Sequence, residues 1–396
     1  MSNPPISLIY QFSKSCLGGS ILKLILVAGA RPNFMKIAPI LRELRSNYSQ
    51  IIEPVLVHTG QHYDQNMSGA FFQALGIHQP DYNLEVGSGS HAEQTAAVMT
   101  RFEQVCLQEQ PNMVLVVGDV NSTIAAGLVA KKMQIQLAHV EAGLRSRDRS
   151  MPEEINRLAT DAISDLFFTT EKQGTLNLLQ EGHPEDNVHF VGHVMIDNLF
   201  FQLEQLQATG ASPEVQSFKS RLPGKYACLT LHRPSNVDRL ENLQPIVSTL
   251  QEISSRLPII FPCHPRTKAR LQEFGLLQDM LDPQATTGKI QQGLFLFPPL
   301  GYNDFLYLWK DATAVLTDSG GLQEETTALQ IPCLTLRENT ERPITLESGS
   351  NMLVGKDMQL LQRTIDRILA GQYKTSMVPE LWDGQASQRI SQVLAG

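Results

Sequence analysis

Carboxylates at the ends of two predicted strands are the residues of this chain best placed for chemistry. Apolar runs over Met113–Val117 and Gln136–Val140 predict two buried strands, and Asp119 and Glu141 follow them. Ligands of an open parallel sheet bind at the carboxyl ends of its strands, so both acids are expected beside a ligand. Glu153 stands at a predicted helix start, twelve residues after Glu141. Together the three acids could supply general acid and base catalysis.

Two of these acids also have simple structural explanations. Asp119 could cap a helix that begins near Asn121, and Glu153 could pair with Arg157 four residues further on. Glu141 is harder to explain in this way, because it directly follows a strand and precedes a glycine turn.

Two histidines stand at strand ends in the second half of the chain. His232 directly follows the apolar run ACLTL, and His264 lies in the sequence PCHP after another run. An imidazole that faces the acids across an interdomain cleft could donate a proton or stabilise a leaving group. Isolated histidines are more often structural, so spacing alone assigns a function to neither.

A glycine turn after the first predicted strand is a candidate anion site. Gly29 ends the strand, and Arg31 and Lys36 belong to the helix that follows. Backbone N–H groups and the positive end of a helix can bind an anion there, and the two side chains add charge. An ordinary turn with two solvated cations fits equally well. The turn matches neither G-x-G-x-x-G nor a Walker loop, so it does not indicate a dinucleotide or a nucleoside triphosphate.

A more specific pattern is the strand end Asp318-Ser319-Gly320-Gly321, which precedes a helix that carries Glu325. Ser319 can cap this helix, and the glycines allow a diphosphate to approach the backbone. Glu325 lies far enough along the helix for its carboxylate to reach the ribose hydroxyls of a nucleotide. The pattern predicts a nucleotide site, and a capped helix with an acidic first turn is the alternative.

Two other patterns are weaker. Arg342 lies in a further strand-end loop, where it could complete a pyrophosphate clamp. His58 and His62 are four residues apart, but they flank a strand end and a glycine turn and do not share a helix face. We therefore expect no metal there.

Alternating strands and helices must position these residues. From Leu24 onward, short Val, Ile and Leu runs alternate with amphipathic stretches, which predicts parallel sheets covered on both faces. The pattern weakens around Gly192–Pro223 and then resumes. We therefore predict an α/β fold with two doubly wound, Rossmann-like domains and a cleft between them. The predicted domains are 22–192, with a C-terminal helix in 378–396 packing back on it, and 193–377, after an N-terminal extension over 1–21.

Composition excludes several classes of partner. The chain has 396 residues, of which 42% are hydrophobic and 18% charged, as in a globular protein with large cores. Its net charge of −8 gives no electrostatic reason to bind nucleic acid or an anionic membrane. No apolar run approaches the ~18–20 residues that span a bilayer. The five scattered cysteines suit a reducing, cytoplasmic location with buried thiols.

Seven motifs in register resemble one family. They are GARPNFMKIAPI, GDVNST, HVEAGLR, PEEINR, HRPSN, DSGGLQEE and ENTERP. From about Lys23 to its end, the chain resembles the non-hydrolysing UDP-N-acetylglucosamine 2-epimerases. The resemblance implies a glycosyltransferase-B type fold, a homodimer, and inversion at C2 of UDP-N-acetylglucosamine without NAD or a metal. It also implies anti elimination of UDP to 2-acetamidoglucal, followed by re-addition with the proton on the opposite face.

The same resemblance implies roles for individual residues, although it does not assign which acid removes the C2 proton and which returns it. The residues that match the family's catalytic groups are Asp119, Glu141, Glu153 and His232. Those that match its substrate and UDP contacts are Arg31, Lys36, Phe305 on the uracil side, Ser319, Gly320, Gly321, Glu325 and Arg342. Those at possible second-site or cleft positions are Gln61, His62, His264 and Arg157.

The chain departs from the best-known members at three positions. Tyr63 stands where they have the arginine of Gln-His-Arg, in a region that holds a second, activating substrate molecule in some bacterial members. This loss calls such activation into question. Leu300 replaces a glutamine near the uracil, and Asn33 replaces an acid in the first turn.

Four other functions remain open. The same chemistry could act on UDP-2,3-diacetamido-glucuronate, or a hydrolysing epimerase could release N-acetylmannosamine. A UDP-sugar transferase would need an acceptor groove or a basic-apolar membrane patch, and the sequence shows no such run. A catalytically silent sugar-nucleotide sensor is the fourth, although the complete set of acids with His232 argues against it.

Overall fold

The computed structural model of the chain describes residues 21–60 and 69–396. These residues form two compact units. The first contains the described residues up to Asn198 together with Asp383–Gly396, and the second contains Leu199–Trp382. Nearly all of the predicted N-terminal extension, and the second-site segment Gln61–Tyr63, lie outside the described residues.

The strands of the two units are numbered in chain order. Those described in the first unit are β1 (Leu22–Ala28), β2 (Ile52–His58), β3 (Tyr82–Asn83), β4 (Met113–Val117), β5 (Gln136–Val140), β6 (Leu166–Thr169) and β7 (Val188–Phe190). Those in the second are β8 (Ala227–Thr230), β9 (Ile259–Pro262), β10 (Leu294–Phe297), β11 (Ala314–Thr317), β12 (Cys333–Thr335) and β13 (Asn351–Leu353).

Helices connect these strands, and α7 runs across the boundary between the units. The described helices are α1 (Arg31–Asn47), α2 (Gly69–Ala74), α3 (His91–Glu109), α4 (Asn121–Lys132), α5 (Pro152–Ile163), α6 (Lys172–Gln180), α7 (Val194–Thr209), α8 (Pro213–Ser220), α9 (Pro234–Val237), α10 (Leu240–Ser254), α11 (Pro265–Glu273), α12 (Tyr302–Trp309), α13 (Gly320–Ala328), α14 (Pro343–Glu347), α15 (Met358–Leu369) and α16 (Ala386–Ala395).

Each unit has one parallel sheet of the doubly wound type. The strand order is β3-β2-β1-β4-β5-β6-β7 in the first and β10-β9-β8-β11-β12-β13 in the second. The order reverses between β1 and β4, and again between β8 and β11. Doubly wound sheets bind ligands at such switch points, beyond the carboxyl ends of the strands. The fold class predicted from the alternating pattern is confirmed.

Both faces of the first sheet are covered, which explains why its central strands are apolar throughout. Along β1, Leu24 and Leu26 enter a cluster that also contains residues of α1 and, from the C-terminal helix α16, Ile390. The intervening Ile25 and Val27 enter a second cluster with residues of α3 and α4.

The predicted buried thiols are confirmed for the cysteines that the structure describes. Cys106, Cys228, Cys263 and Cys333 are buried and form no disulfide, and Cys16 lies outside the described residues. Burial raises the pKa of the Cys106 and Cys263 thiols to about 12, which keeps them protonated. Among the helices of the described ranges, none has the length and apolar character needed to cross a bilayer.

Candidate active site

The turn after β1 lies at the switch point of the first sheet. The N–H of Ala30 donates to Oδ1 of Asn33 at 2.9 Å, and Nδ2 of Asn33 donates to the carbonyl of Val117 at 3.2 Å. The buried Asn33, which replaces an acid of the family pattern, thereby ties the start of α1 to the end of β4. Arg31 is exposed, with its guanidinium 5.0 Å from the centre of the Phe71 ring.

Glu141 and Lys36 form an ion pair beside this turn. The side chain of Glu141 is 3% exposed and that of Lys36 is 12% exposed, so the pair is largely shielded from water. Glu141 has a left-handed backbone, with φ of 69°, and its N–H donates to the carbonyl of Phe168 at 3.0 Å. This backbone turns its carboxylate toward the end of β4.

Gly118, at the end of β4, leaves room for the pair. Its φ is 67°, and a Cβ atom there would lie 3.2 Å from Nζ of Lys36 and 3.4 Å from Oε2 of Glu141. A side chain would therefore crowd the Lys36 ammonium and strain the backbone. Asp119 directly follows Gly118 in the chain.

A histidine that the sequence prediction missed also approaches Glu141. Nε2 of His193 lies 4.0 Å from Oε1 of Glu141, and its Nδ1 accepts the N–H of Met195 at 3.2 Å. Glu141 therefore has the Lys36 ammonium near one oxygen and an imidazole near the other. The only sequence signal was its position just after β7, next to Gly192.

Asp119 is held by Arg157. Nη2 of Arg157 contacts Oδ2 of Asp119 at 2.5 Å, and its Nη1 pairs with Glu154. Residue Val120, and not Asp119, occupies the N-cap position of α4, so a capping role for Asp119 is wrong. The buried Arg157 bridges a candidate catalytic acid and the first turn of α5.

The two neighbouring acids of α5 have different surroundings. Glu154 is buried and accepts the N–H groups of Ser146 and Arg147, both at 2.9 Å. Burial favours its neutral form, but these N–H groups and Arg157 outweigh it and lower the pKa of Glu154. Glu153 is exposed in the first turn of the helix. Arg157 thus pairs with Asp119 and Glu154, and the pair with Glu153 that the sequence suggested is not among the ion pairs of the described residues.

A buried network beneath these residues was also missed. Nδ1 of His139 lies 2.7 Å from Oδ1 of Asp161, and its Nε2 lies 2.8 Å from the carbonyl of Gly118. Oδ2 of Asp161 accepts the N–H of Gly143 at 3.1 Å and contacts Nη1 of Arg145 at 2.7 Å.

The network requires a charged imidazole. A carbonyl and an ionised carboxylate only accept hydrogen bonds, so both nitrogens of His139 carry hydrogen. Burial alone would raise the pKa of Asp161, but His139 and Arg145 outweigh it and lower that pKa. The network joins the turn after β4, the loop after β5 and helix α5, which carry the three candidate acids.

In the second unit, His232 and Asp318 lie at the switch point, after β8 and β11. Nδ1 of His232 is 2.9 Å from Oδ1 of Asp318. Oδ2 of Asp318 accepts the N–H groups of His232 at 2.9 Å and Arg233 at 2.8 Å, and Nδ2 of Asn236 lies at 3.2 Å. Burial favours the neutral acid, but these bonds outweigh it and lower the pKa of Asp318. The prediction placed His232 in the site and treated Asp318 only as a strand end.

His264 has a structural contact of its own. Its Nδ1 accepts the N–H of Arg266 at 3.2 Å, which caps the start of α11. The centre of its ring lies 6.2 Å from that of His232. Burial, followed by His232 and Arg266, lowers the pKa of His264. The geometry assigns His264 to the helix cap.

The start of α13 is open. Apart from its chain neighbours and the backbone of its own helix, no described heavy atom lies within 4 Å of a Cβ placed on Gly320 or Gly321, so a ligand can approach this backbone closely. Ser319 occupies the N-cap position, but its side chain makes no capping bond within the described structure. Its N–H donates to Oγ1 of Thr317 at 2.9 Å. The predicted side-chain cap is therefore wrong, while the open helix start agrees with the prediction.

Two acids on α13 have partners in neighbouring segments. Glu325 is buried and accepts the hydroxyl of Tyr302 at 2.6 Å, a contact that the sequence did not predict. Burial and this carboxylate raise the pKa of Tyr302 well above its ordinary value. Arg342 contacts Glu324, with Nε 2.5 Å from Oε1. Phe305 is half-buried on α12, the helix that begins with Tyr302.

The described residues contain no group of three or more His, Cys, Asp or Glu side chains placed to hold a metal ion. The ionisable groups instead form ion pairs and small networks of acids with cations or imidazoles. Those of the first unit combine acids with cations and imidazoles at one switch point, and those of the second combine an acid–imidazole pair with an open helix start.

Comparison with known proteins identifies the relatives of this chain. The family model described as UDP-N-acetylglucosamine 2-epimerase matches residues 44–395. A UDP-N-acetylglucosamine 2-epimerase of Methanococcus maripaludis is 41% identical over 351 residues, which cover 88% of this chain and 92% of the relative. A UDP-2,3-diacetamido-2,3-dideoxy-D-glucuronate 2-epimerase of Pseudomonas aeruginosa is 36% identical, with coverage of 94% and 99%.

A solved structure from the same family is also similar to this chain. The Methanocaldococcus jannaschii UDP-GlcNAc 2-epimerase, in complex with UDP-GlcNAc and UDP, has a TM-score of 0.78 to this chain and is 40% identical. The match covers 94% of this chain and 99% of that one.

Proposed function

Because the chain belongs to the UDP-N-acetylglucosamine 2-epimerase family, we propose that it interconverts UDP-N-acetylglucosamine and UDP-N-acetylmannosamine by inversion at C2. The observation that carries this proposal is the family match over residues 44–395, which includes all four candidate catalytic residues. The paired acids at the switch point of the first sheet and the open helix start of the second support it.

The proposed reaction is an elimination followed by a re-addition. A base removes the C2 proton while the C1–O bond breaks, and the bonding electrons leave with UDP. The product is 2-acetamidoglucal. UDP then adds back to C1 and a proton returns to the opposite face of C2, which yields the epimer. Two faces of one carbon require two proton carriers, for which Asp119, Glu141 and Glu153 are the candidates.

The second unit offers groups suited to the leaving nucleotide. The backbone at Gly320 and Gly321 presents the positive end of α13, which suits the diphosphate. Glu325 would accept ribose hydroxyls, and Phe305 would contact the uracil. Arg342 would add charge on the diphosphate, as would Arg31 and Lys36 of the first unit. Charged donors fixed in advance stabilise the charge that develops on a leaving group.

The test is turnover in D₂O. Purified protein is incubated with UDP-N-acetylglucosamine and followed by NMR. We expect an equilibrium mixture of the two epimers, with deuterium at C2 in both. Epimerisation without deuterium at C2 would exclude the elimination, and release of free N-acetylmannosamine would indicate a hydrolysing enzyme. A parallel incubation with the diacetamido-glucuronate nucleotide tests the substrate of the Pseudomonas relative.

Two substitutions test the acids. Asp119→Asn and Glu141→Gln keep the shape of each side chain but remove its ability to take a proton, so we expect turnover to fall by about 10²–10⁴-fold or more. Asp165→Asn is the control, because Asp165 pairs with Lys131 in a partly exposed bridge. Near-normal rates in either test variant, with the fold intact, would remove that acid from the mechanism.

The family membership also supports a homodimer and a role in making cell-surface polysaccharide. Light scattering on the purified chain tests the first: a mass near twice 44.0 kDa is expected.

A further inference from the structure

We propose that Asp318 is the positioning residue of His232, and that it directs Nε2 of the imidazole toward the leaving diphosphate. The inference rests on the proposed function of His232 and extends it to a second residue. It follows from the geometry at the switch point of the second sheet.

One carboxylate fixes both the ring and the backbone of His232. Oδ1 of Asp318 lies 2.9 Å from Nδ1 of the ring, and Oδ2 accepts the N–H of the same residue at 2.9 Å. Asp318 is fully buried, whereas the side chain of His232 is 43% exposed. The ring is therefore anchored through its Nδ1 edge.

The hydrogen bond from His232 to Asp318 decides which ring nitrogen of His232 can exchange a proton. An ionised carboxylate only accepts hydrogen bonds, so Nδ1 must carry a hydrogen. Nε2 is then the nitrogen that can gain or lose a proton. An imidazolium carries its second hydrogen on Nε2, where that hydrogen can meet the diphosphate of a bound nucleotide. Its Nε2–H donates to the oxygen that receives the electrons of the broken C1–O bond. UDP leaves as an anion, and the same hydrogen bond is present when UDP returns.

The position of Asp318 in the chain couples this ring to the nucleotide site. Asp318 is followed directly by Ser319, Gly320 and Gly321, where α13 begins. A single turn after β11 thus holds the imidazole on one side and presents the helix start on the other. Related acid–imidazole pairs in hydrolases hold the ring in one tautomer, and replacing the acid by its amide there lowers kcat about 10⁴-fold.

The test combines kinetics with ¹⁵N NMR of the histidine rings in the full chain. Asp318→Asn keeps one oxygen for the backbone N–H groups but places an amide donor against Nδ1, which forces the hydrogen onto Nε2. We expect kcat to fall about 10²–10⁴-fold with KM changed less than about threefold. In a His232→Asn background, Asp318→Asn should slow the reaction no further, because the two residues act as one unit. The control is Asp357→Asn, since Asp357 only caps α15 through the N–H of Leu360.

The wild-type spectrum keeps the inference testable even if Asp318→Asn does not fold. The neutral ring of His232 should carry its hydrogen on Nδ1; a neutral ring with its hydrogen on Nε2 would overturn the inference. So would a further loss of rate in the double variant as large as the loss from Asp318→Asn alone. If His232→Asn retains the wild-type rate, the inference fails, while deuterium uptake at C2 would still support the epimerase reaction.

Discussion

At the scale of single residues, the site depends on how closely charged groups approach the backbone. Gly118 meets two demands at once: its φ is 67°, and a Cβ atom there would lie 3.2 Å from Nζ of Lys36, closer than side chains usually pack. Both demands come from the fold around the residue. A sequence alone therefore shows the glycine but not its reason.

Gly118→Ala separates these two demands when it is compared with Gly182→Ala. Gly182 has a φ of 91°, but no described atom lies within 4 Å of its Cβ position, so alanine there meets only backbone strain of about 1–2 kcal/mol. We expect Gly118→Ala to cost about 1 kcal/mol more, because Nζ of Lys36 would lie 3.2 Å from the new Cβ atom and must shift slightly. Hydrogen exchange of β4 amides measures the free energies. Equal losses of unfolding free energy in the two variants would show that the Lys36–Glu141 ion pair accommodates the added methyl group without loss.

The sequence located those charged residues that follow an apolar run, and it did not reveal the ones whose role depends on distant partners. Asp119, Glu141 and His232 follow apolar runs, so they could be located. His193 and Asp161 are single polar residues whose importance comes from partners far away in the chain. No periodic pattern marks such a residue.

At the scale of elements, the buried network of Asp161 holds three segments in place. Its carboxylate is shielded from water and contacts His139, Arg145 and the backbone of Gly143. Removing one member of a buried ionic group leaves the others without compensation, which typically costs 3–5 kcal/mol.

Asp161→Asn should therefore destabilise the first unit by about 3–5 kcal/mol at neutral pH. The folded pKa of Asp161 is lowered, so its contribution is fully present above the unfolded value of 3.8 and is lost as the pH falls through the folded pKa. Asp165→Asn is the matched control, since its bridge to Lys131 is partly exposed and worth about 1 kcal/mol or less. Hydrogen exchange at pH 7 compares them. Similar losses of unfolding free energy in the two variants would show that burial does not make the Asp161 network more stabilising than the exposed bridge.

The longer elements could be predicted because both faces of each sheet are covered, which makes the strands continuous apolar runs. Strands β4 and β5 have the predicted bounds. By contrast, β3 and β13 have two and three residues. Such strands are too short to show a pattern, and they form only because a neighbouring strand offers its edge. The sequence also could not show that the Ser319 side chain makes no capping bond, because the orientation of that side chain depends on the fold around it.

At the scale of the whole molecule, two sheets with a similar strand order have different sets of ionisable residues at their switch points. The alternation of strands and helices was enough to predict this α/β class. The relative placement of acids and nucleotide contacts on the two sheets came from the family resemblance, because spacing alone does not bring residues from separate sheets together.

UDP should stabilise the second unit through the open start of α13. Both tryptophans, Trp309 and Trp382, lie in this unit, so their fluorescence reports its unfolding. At one hundred times its Kd, UDP should add about 2.7 kcal/mol. Gly321→Val should remove most of this gain and leave the unliganded unit within about 1 kcal/mol, because no described atom lies near its Cβ position.

Gly224→Val is the control for this experiment. Gly224 also has no described atom within 4 Å of its Cβ position, but it precedes β8, at the opposite end of that strand from His232. It should keep the full response to UDP. An unchanged response in Gly321→Val would place the nucleotide elsewhere.

The left-handed backbone of Glu141 is a strain that the ion pair with Lys36 outweighs. A residue with a side chain adopts a φ of 69° at a cost of about 1–2 kcal/mol, whereas glycine adopts it readily. Glycine would relieve that strain but leave the largely buried Lys36 without its partner, a loss of typically about 3–5 kcal/mol. Selection of random variants for heat tolerance alone should therefore keep the glutamate, even with no demand for product.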